Sequence, residues 1–327
     1  MNRILVVGRN GQVANELAAT LPTLGEVRCA GRSEADATNP AAVRALVHDY
    51  KPDVIINASA YTAVDRAESE PEAARLLNVD AVALLAELAA KASIPLVHYS
   101  TDYVFDGQKT TPWREDDPCG PQGVYAQTKL EGELAIKASG CAHFIFRTAW
   151  VYGHFGANFY KTMNRLARER EELRVVSDQK GSPTWSYMIA LATSQILAQG
   201  CAKGGAGRSV RSETAGASGV QGNGNRGLFE FVSERSGIYH LTAAGACSWF
   251  DFASEILKTD PRREEHICRQ VIPIPTESYP TPAKRPANSV LDNEKCARTF
   301  GLRLPDWKLQ LALVQGQVPQ KVAVTRS

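Results

Sequence analysis

Tyr125 and Lys129 close the run YAQTK, and a spacing of four on a helix returns both side chains to one face. A phenol beside an ammonium suits proton transfer, because the cation stabilises the phenolate and lowers the tyrosine's pKa toward working pH. Upstream, Ser100, Thr101 and Asp102 end an apolar run, so a hydroxyl precedes the phenol and the ammonium in chain order. Nearer the N-terminus, Gly8–Ala14 (GRNGQVA) follows another apolar run. Gly8 and Gly11 permit a tight turn, and the backbone of Asn10, Gly11, Gln12 and Val13 can offer free N–H groups to a pyrophosphate at a helix start. The chemistry these residues suggest is hydride exchange with a dinucleotide, with a proton delivered from tyrosine.

The cofactor's type is read further on. NAD-selective folds place a carboxylate about 20 residues past the glycine turn, where it binds the adenosine ribose. Here that position is Ala30–Ser33 (AGRS), with no carboxylate. Gly31 leaves room, Arg32 offers a planar guanidinium to a 2′-phosphate, and Ser33 adds a hydroxyl. Glu34 and Asp36 fall in the following loop, and Asp36 is expected to face the adenine. NADPH is therefore the expected preference, with NADH still used.

Positioning these groups takes alternating strands and helices. Arg3–Val7, Val27–Ala30, Asp53–Asn57, Leu96–Ser100 and Phe144–Arg147 read as strands, and Gln12–Leu21, Pro40–Tyr50 and Pro71–Ala92 as helices. This rhythm predicts an α/β fold, a doubly wound parallel (Rossmann-type) sheet with ligand at the carboxyl ends of its strands. Residues 1–150 are expected to form the dinucleotide-binding domain, with later segments returning to it. Residues 151–327 are expected to form mainly a smaller C-terminal substrate-binding lobe. Further elements are expected near Asn158–Arg170, Arg174–Val176, Tyr187–Gln199, Tyr239–Leu241 and Trp249–Leu257. The glycine-rich stretch at about 200–227 reads as a flexible insertion, and Pro273–Pro286 as an extended loop.

A net charge of +2 gives no reason to expect nucleic acid or a membrane surface as partner. The first residues enter a strand pattern at once, so no signal peptide is expected, and no run approaches the roughly 20 apolar residues of a membrane span. Seven scattered cysteines without a C-x-x-C pattern suit reduced thiols in a cytosol. The expected location is cytoplasmic.

Several segments together resemble the extended short-chain dehydrogenase/reductases, in particular the branch acting on dTDP-4-keto-6-deoxysugars. They are Asn57–Asp65 (NASAYTAVD), Ala67–Pro71 (AESEP), Tyr99–Gly107 (YSTDYVFDG), Phe146–Gly153 (FRTAWVYG), Asp178–Thr184 (DQKGSPT) and Arg285–Ser289 (RPANS). The resemblance implies NAD(P)H-dependent reduction of the C4 ketone of a dTDP-sugar, dTDP-4-dehydro-β-L-rhamnose first among them. Another dTDP-4-keto-6-deoxysugar, or a non-catalytic nucleotide-binding subunit of the same fold, are the alternatives. It implies Tyr125 as proton donor, Lys129 tuning it and holding the nicotinamide ribose, and Thr101 bonded to the reacting oxygen with Asp102 beside it. Trp150 would pack on the sugar, and Arg285 and Asn288 would lie in the substrate lobe. The turn carrying Ala58, Ala60, Tyr61 and Thr62 would line the cofactor. A magnesium-bridged homodimer occurs among some relatives, with ligands at positions matching Glu16, Tyr187 and Glu294. Tyr187 is a poor ligand for a hard cation, so no metal is expected, and a homodimer would have to form without it.

Overall fold

Five apolar runs and a sixth later in the chain form one parallel sheet: β1 (Asn2–Val7), β2 (Gly25–Ala30), β3 (Val54–Asn57), β4 (Leu96–Thr101), β5 (His143–Thr148) and β6 (Gly237–His240). The computed structural model describes residues 1–205 and 226–317. The central strands read as unbroken apolar runs because both faces of the sheet are covered by helices. On one face Ile4, Val6, Ile56, Phe144 and Phe146 pack against Leu17, Leu21, Ile189 and Phe231. On the other, Leu5, Val7, Ile55 and Ile145 meet Val43, Leu46, Leu85 and Ile136.

The strand order is β6-β5-β4-β3-β1-β2. The chain winds outward from β1 to β2, then crosses to the opposite side of β1 to begin β3. The sheet's topological switch point therefore lies between β1 and β3, where a doubly wound sheet opens a crevice at its carboxyl ends. Register brings the ends together: Val7 pairs with both Ala30 and Asn57, and Asn57 with His98.

The smaller lobe has its own core, in which Tyr152, Met163, Leu173, Phe252, Ile256, Trp307 and Leu311 are buried. Its edge is a two-stranded parallel pair, Glu172–Val176 with Gln270–Ile274. Pro273 and Ile274 thus belong to a strand, although the proline-rich stretch reads as a loop from its start.

Two other expectations need correction. The predicted helix over residues 71–92 is interrupted by a π-helical turn, Leu76–Asp80, between Pro71–Arg75 and Ala81–Ala92. The predicted insertion is also shorter than read. Helix Ser186–Gly205 carries through its first residues, and helix Arg226–Glu234 takes up its last two. Gly200 is a crossing point and not coil, since a Cβ there would lie 2.9 Å from Leu228 Cδ1. Residues 206–225 lie outside the described residues.

Candidate active site

The site begins at the switch point. Gly8 has φ +109°, and a Cβ on it would stand 2.6 Å from the backbone nitrogen of Ser59, so only glycine lets the two turns meet. Gly8 N–H donates to Ala30 O at 2.9 Å, and Ala58 N–H to Val7 O at 2.9 Å, which ties the turns to the strand ends. Gly11 caps helix Gln12–Thr20 without a side-chain hydrogen bond, leaving first-turn N–H groups for an anion. A cleft of about 380 Å³ runs along this turn past Gly8, Asn10, Gly11, Arg32, Asp36, Ala58 and Ala60. The fit to a dinucleotide rests on that glycine cradle and those open N–H groups.

The remaining expected cofactor residues are placed differently. Gln12 spends its side chain on the smaller lobe, donating to Val151 O at 3.3 Å and accepting from Asn158 Nδ2 at 2.9 Å. Val13 packs on the sheet's hydrophobic core. Tyr61 donates its hydroxyl to Glu70 at 2.5 Å, and Thr62 is exposed beside it. Arg32 is largely exposed, with its Nε 3.8 Å from Asp36 Oδ2. Glu34 turns back from the loop: it accepts from Gly31 N–H and Ser33 Oγ and pairs with Arg9 at 2.6 Å.

At the end of β4, Thr101 and Tyr125 come together. Thr101 lies near enough to the phenol to oppose its upward shift, and its own hydroxyl donates to Asp102 Oδ1 at 3.0 Å while its oxygen accepts from Tyr103 N–H at 3.2 Å. Tyr103 sets its ring edge-on to Tyr125, with centroids 6.0 Å apart. Burial pushes the Tyr125 phenol up to about 12, against the opposing pull of Thr101. The expected lowering by Lys129 is not seen, because that side chain is engaged elsewhere. Its Nζ donates to Tyr99 O at 2.7 Å and lies 3.1 Å from His98 Nε2, and burial brings it down to about 8. Asp102 is buried, its Oδ2 has no hydrogen-bond partner, and burial raises its carboxyl to about 6.

A second cleft, of about 680 Å³, runs between the sheet and the smaller lobe and reaches Tyr103. Phe159 and Trp249 give it apolar walls, and Arg174 and Arg285 give it positive charge. Arg285 is held by a bidentate pair with Asp65, at 2.5 and 2.7 Å. Trp150 is not the ring lining this cleft. Its backbone has φ +47°, and its indole stacks on Trp249 at 3.4 Å, over Gly181, where a Cβ would strike the ring. Asn288 is also drawn aside, its amide donating to Lys109 O at 2.7 Å.

The sequence reading gave no role to Tyr103, Trp249, Asp65 or Asn78. Asn78 is fully buried on the π-turn, accepts from Tyr61 N–H at 2.9 Å and donates to Thr128 Oγ1 at 3.1 Å. Tyr103 carried a signal, lying beside Thr101 and Asp102, and so did Asp65, which closes NASAYTAVD.

The magnesium ligands implied by resemblance do not fit a metal in this chain. Glu16 is buried and accepts from Ser186 Oγ at 3.2 Å, and burial raises its carboxyl. Glu294 pairs with Arg303 at 2.6 Å and Arg298 at 4.0 Å, and Tyr187 packs on the Trp185 ring. Among the described residues no group of three His, Cys, Asp or Glu could hold a metal ion, and no helix is long and apolar enough to cross a membrane.

Comparison with known proteins adds to this geometry. The family described as RmlD substrate binding domain matches residues 1–209 and 228–318. A dTDP-4-dehydrorhamnose reductase of Burkholderia thailandensis is 45% identical over 314 residues, covering 95% of this chain and 97% of its own. The Escherichia coli K12 protein of the same name is 39% identical over 311 residues, with 94% of each chain covered. Among solved structures, a dTDP-4-dehydrorhamnose reductase from Bacillus anthracis in complex with NADP superposes with a TM-score of 0.80 at 30% identity, covering 96% of this chain and 98% of its own.

Proposed function

Since this chain belongs to the RmlD family of dTDP-4-dehydrorhamnose reductases, we propose that Thr101 and Tyr125, behind the Tyr103 ring that lines the second cleft, are where the family's reaction takes place. The protein is an oxidoreductase that reduces the C4 ketone of dTDP-4-dehydro-β-L-rhamnose to dTDP-L-rhamnose with NAD(P)H. When bound, the reduced nicotinamide supplies the hydride. The chain's own residues hold the ketone and deliver the proton.

The observation that carries the assignment is a phenol kept protonated next to a hydroxyl. With its pKa pushed up to about 12, Tyr125 is an acid at working pH, as reduction requires. Its O–H bond breaks as a new O–H bond forms on the sugar's 4-oxygen, and Thr101 orients both oxygens while Asp102 anchors Thr101. Arg285 and Arg174 are suited to the diphosphate of the substrate and Trp249 to an apolar ring face. Gly8, Asn10, Gly11, Ala58 and Ala60 cradle the cofactor, and Asp36 faces the adenine. Arg32 is assigned the 2′-phosphate, because its guanidinium is exposed at the mouth of the first cleft and Glu34 is occupied by Gly31, Ser33 and Arg9. NADPH is accordingly the preferred cofactor, and the reaction is independent of magnesium.

The deciding experiment is NMR of the product formed from dTDP-4-dehydro-L-rhamnose and NADPH. The rhamno configuration at C4 is expected. The epimeric sugar, or no product, would overturn the reading.

A further inference from the structure

We propose that His98 is the positioning residue of Lys129: as the Nε2–H tautomer it fixes the lysine nitrogen in place and sets whether the resting site holds it as amine or ammonium. The inference rests on the assignment of Tyr125 and Lys129 above.

The donors and acceptors around His98 fix its tautomer. Asn57 and His98 are register partners on β3 and β4, and both are buried. The Asn57 amide has only one possible orientation, because its Oδ1 accepts from Ser59 N–H at 3.1 Å and from Ser59 Oγ at 2.6 Å. Its Nδ2 therefore faces His98 Nδ1, 3.1 Å away. An amide nitrogen only donates, so Nδ1 must accept. Complete burial holds the imidazole neutral, and a neutral ring carries one proton. That proton sits on Nε2 and points at Lys129 Nζ, 3.1 Å away.

An amine can accept such a bond through its lone pair, whereas an ammonium has nothing to accept with. Lys129 already donates to Tyr99 O, so the amine form satisfies the local pattern. Other charged groups around Lys129 do not take over this role. Glu133, on the same helix, has its oxygens engaged by Arg147 of β5 at 2.7 and 2.9 Å and by Ser100 of β4 at 2.5 Å. It raises the Lys129 pKa from a distance, and burial outweighs it. Tyr125 lies one turn back on the helix, and Asp102 lies beyond the end of β4, bonded to Thr101. His98 is the titratable side chain within hydrogen-bond reach of Nζ. It thereby determines at what pH Lys129 carries its charge.

Two measurements test this on the full chain. Long-range ¹H–¹⁵N correlation on histidine-labelled protein, with the signal assigned by its loss in His98→Gln, is expected to show Nε2 protonated and Nδ1 bare. The pH profile of kcat/KM for NADPH-dependent reduction is expected to have an alkaline limb near pH 8 in the native protein. In His98→Gln the amide oxygen accepts from the ammonium, and the limb should move up by about one pH unit. An Nδ1–H tautomer, or a folded His98→Gln with an unmoved limb, would overturn the proposal. If the variant fails to fold, the tautomer of the native protein decides alone. Full turnover in Tyr125→Phe would instead strike the underlying site assignment, which the tautomer measurement does not depend on.

Discussion

Tyr125 and Asp102 are both pushed up by burial, and the two shifts have opposite consequences. The phenol gains by it, since an acid must arrive protonated. Tyr125→Phe is expected to lower kcat by roughly 10²–10⁴-fold while leaving NADPH binding intact, as measured by steady-state kinetics and by fluorescence titration. The carboxyl loses by it. A folded-state pKa of about 6 against an ordinary 3.8 means folding opposes ionisation of Asp102. The cost begins above the unfolded pKa and is complete above the folded one, reaching on the order of 3 kcal/mol by pH 8. Asp102→Asn should thus melt higher than the native protein at pH 8 and match it near pH 4, and a melting series across that range checks the sign. Arg32 gives the third test at this scale. A charge-assisted phosphate contact contributes about 1.5–3 kcal/mol, so Arg32→Ala should raise KM for NADPH roughly ten- to a hundredfold and barely change NADH kinetics. Equal losses with both cofactors would assign Arg32 to the fold.

Between residues and the whole stand the two elements that bring the helix carrying Tyr125 and Lys129 to the sheet. Helix Val124–Ser139 passes so close to the π-turn that a Cβ on Gly132 would lie 2.3 Å from the Asn78 carbonyl oxygen. Gly132→Ala has no flexible side chain to push aside, so it should cost about 1–3 kcal/mol and lower Tm by several degrees, with kcat/KM falling as Tyr125 and Lys129 shift. The helix itself was legible, because YAQTK shows its spacing and the neighbouring segments their alternation. The π-turn was not, since Leu76–Asp80 differs from a regular helix only through the tertiary contacts of Asn78. The stacking of Trp150 on Trp249 was not legible for a related reason. The Trp150 segment carried the resemblance, but whether an indole faces a ligand or another ring depends on Trp249, which lies 99 positions on and gave no pattern of its own. Gly200 shows the limit of composition: glycine reads as coil until a partner helix is known to cross it.

For the molecule as a whole, the poor fit of Glu16, Tyr187 and Glu294 to a metal, with no other set among the described residues, predicts that EDTA leaves turnover and sedimentation unchanged; magnesium-dependent association in the ultracentrifuge would contradict it. The fold class was readable from the first 150 residues because the strands there, apart from the edge strand β2, are buried on both faces. The strand order was not, as alternation says nothing about which side of β1 receives β3. Later segments were expected to return to this domain, but alternation does not show how: β6 completes the sheet and helix Ser186–Gly205 covers helix Gln12–Thr20 from the second half of the chain. That return has a consequence for biosynthesis. On the ribosome, β5 is made long before its partner β6, and at about 5–20 residues per second the wait is of the order of 5–20 seconds. Throughout it, a fully buried strand of the finished protein presents an open hydrogen-bonding edge to other nascent chains. The six-stranded sheet is therefore completed late in translation, and the β5 edge is covered only once residue 240 has emerged.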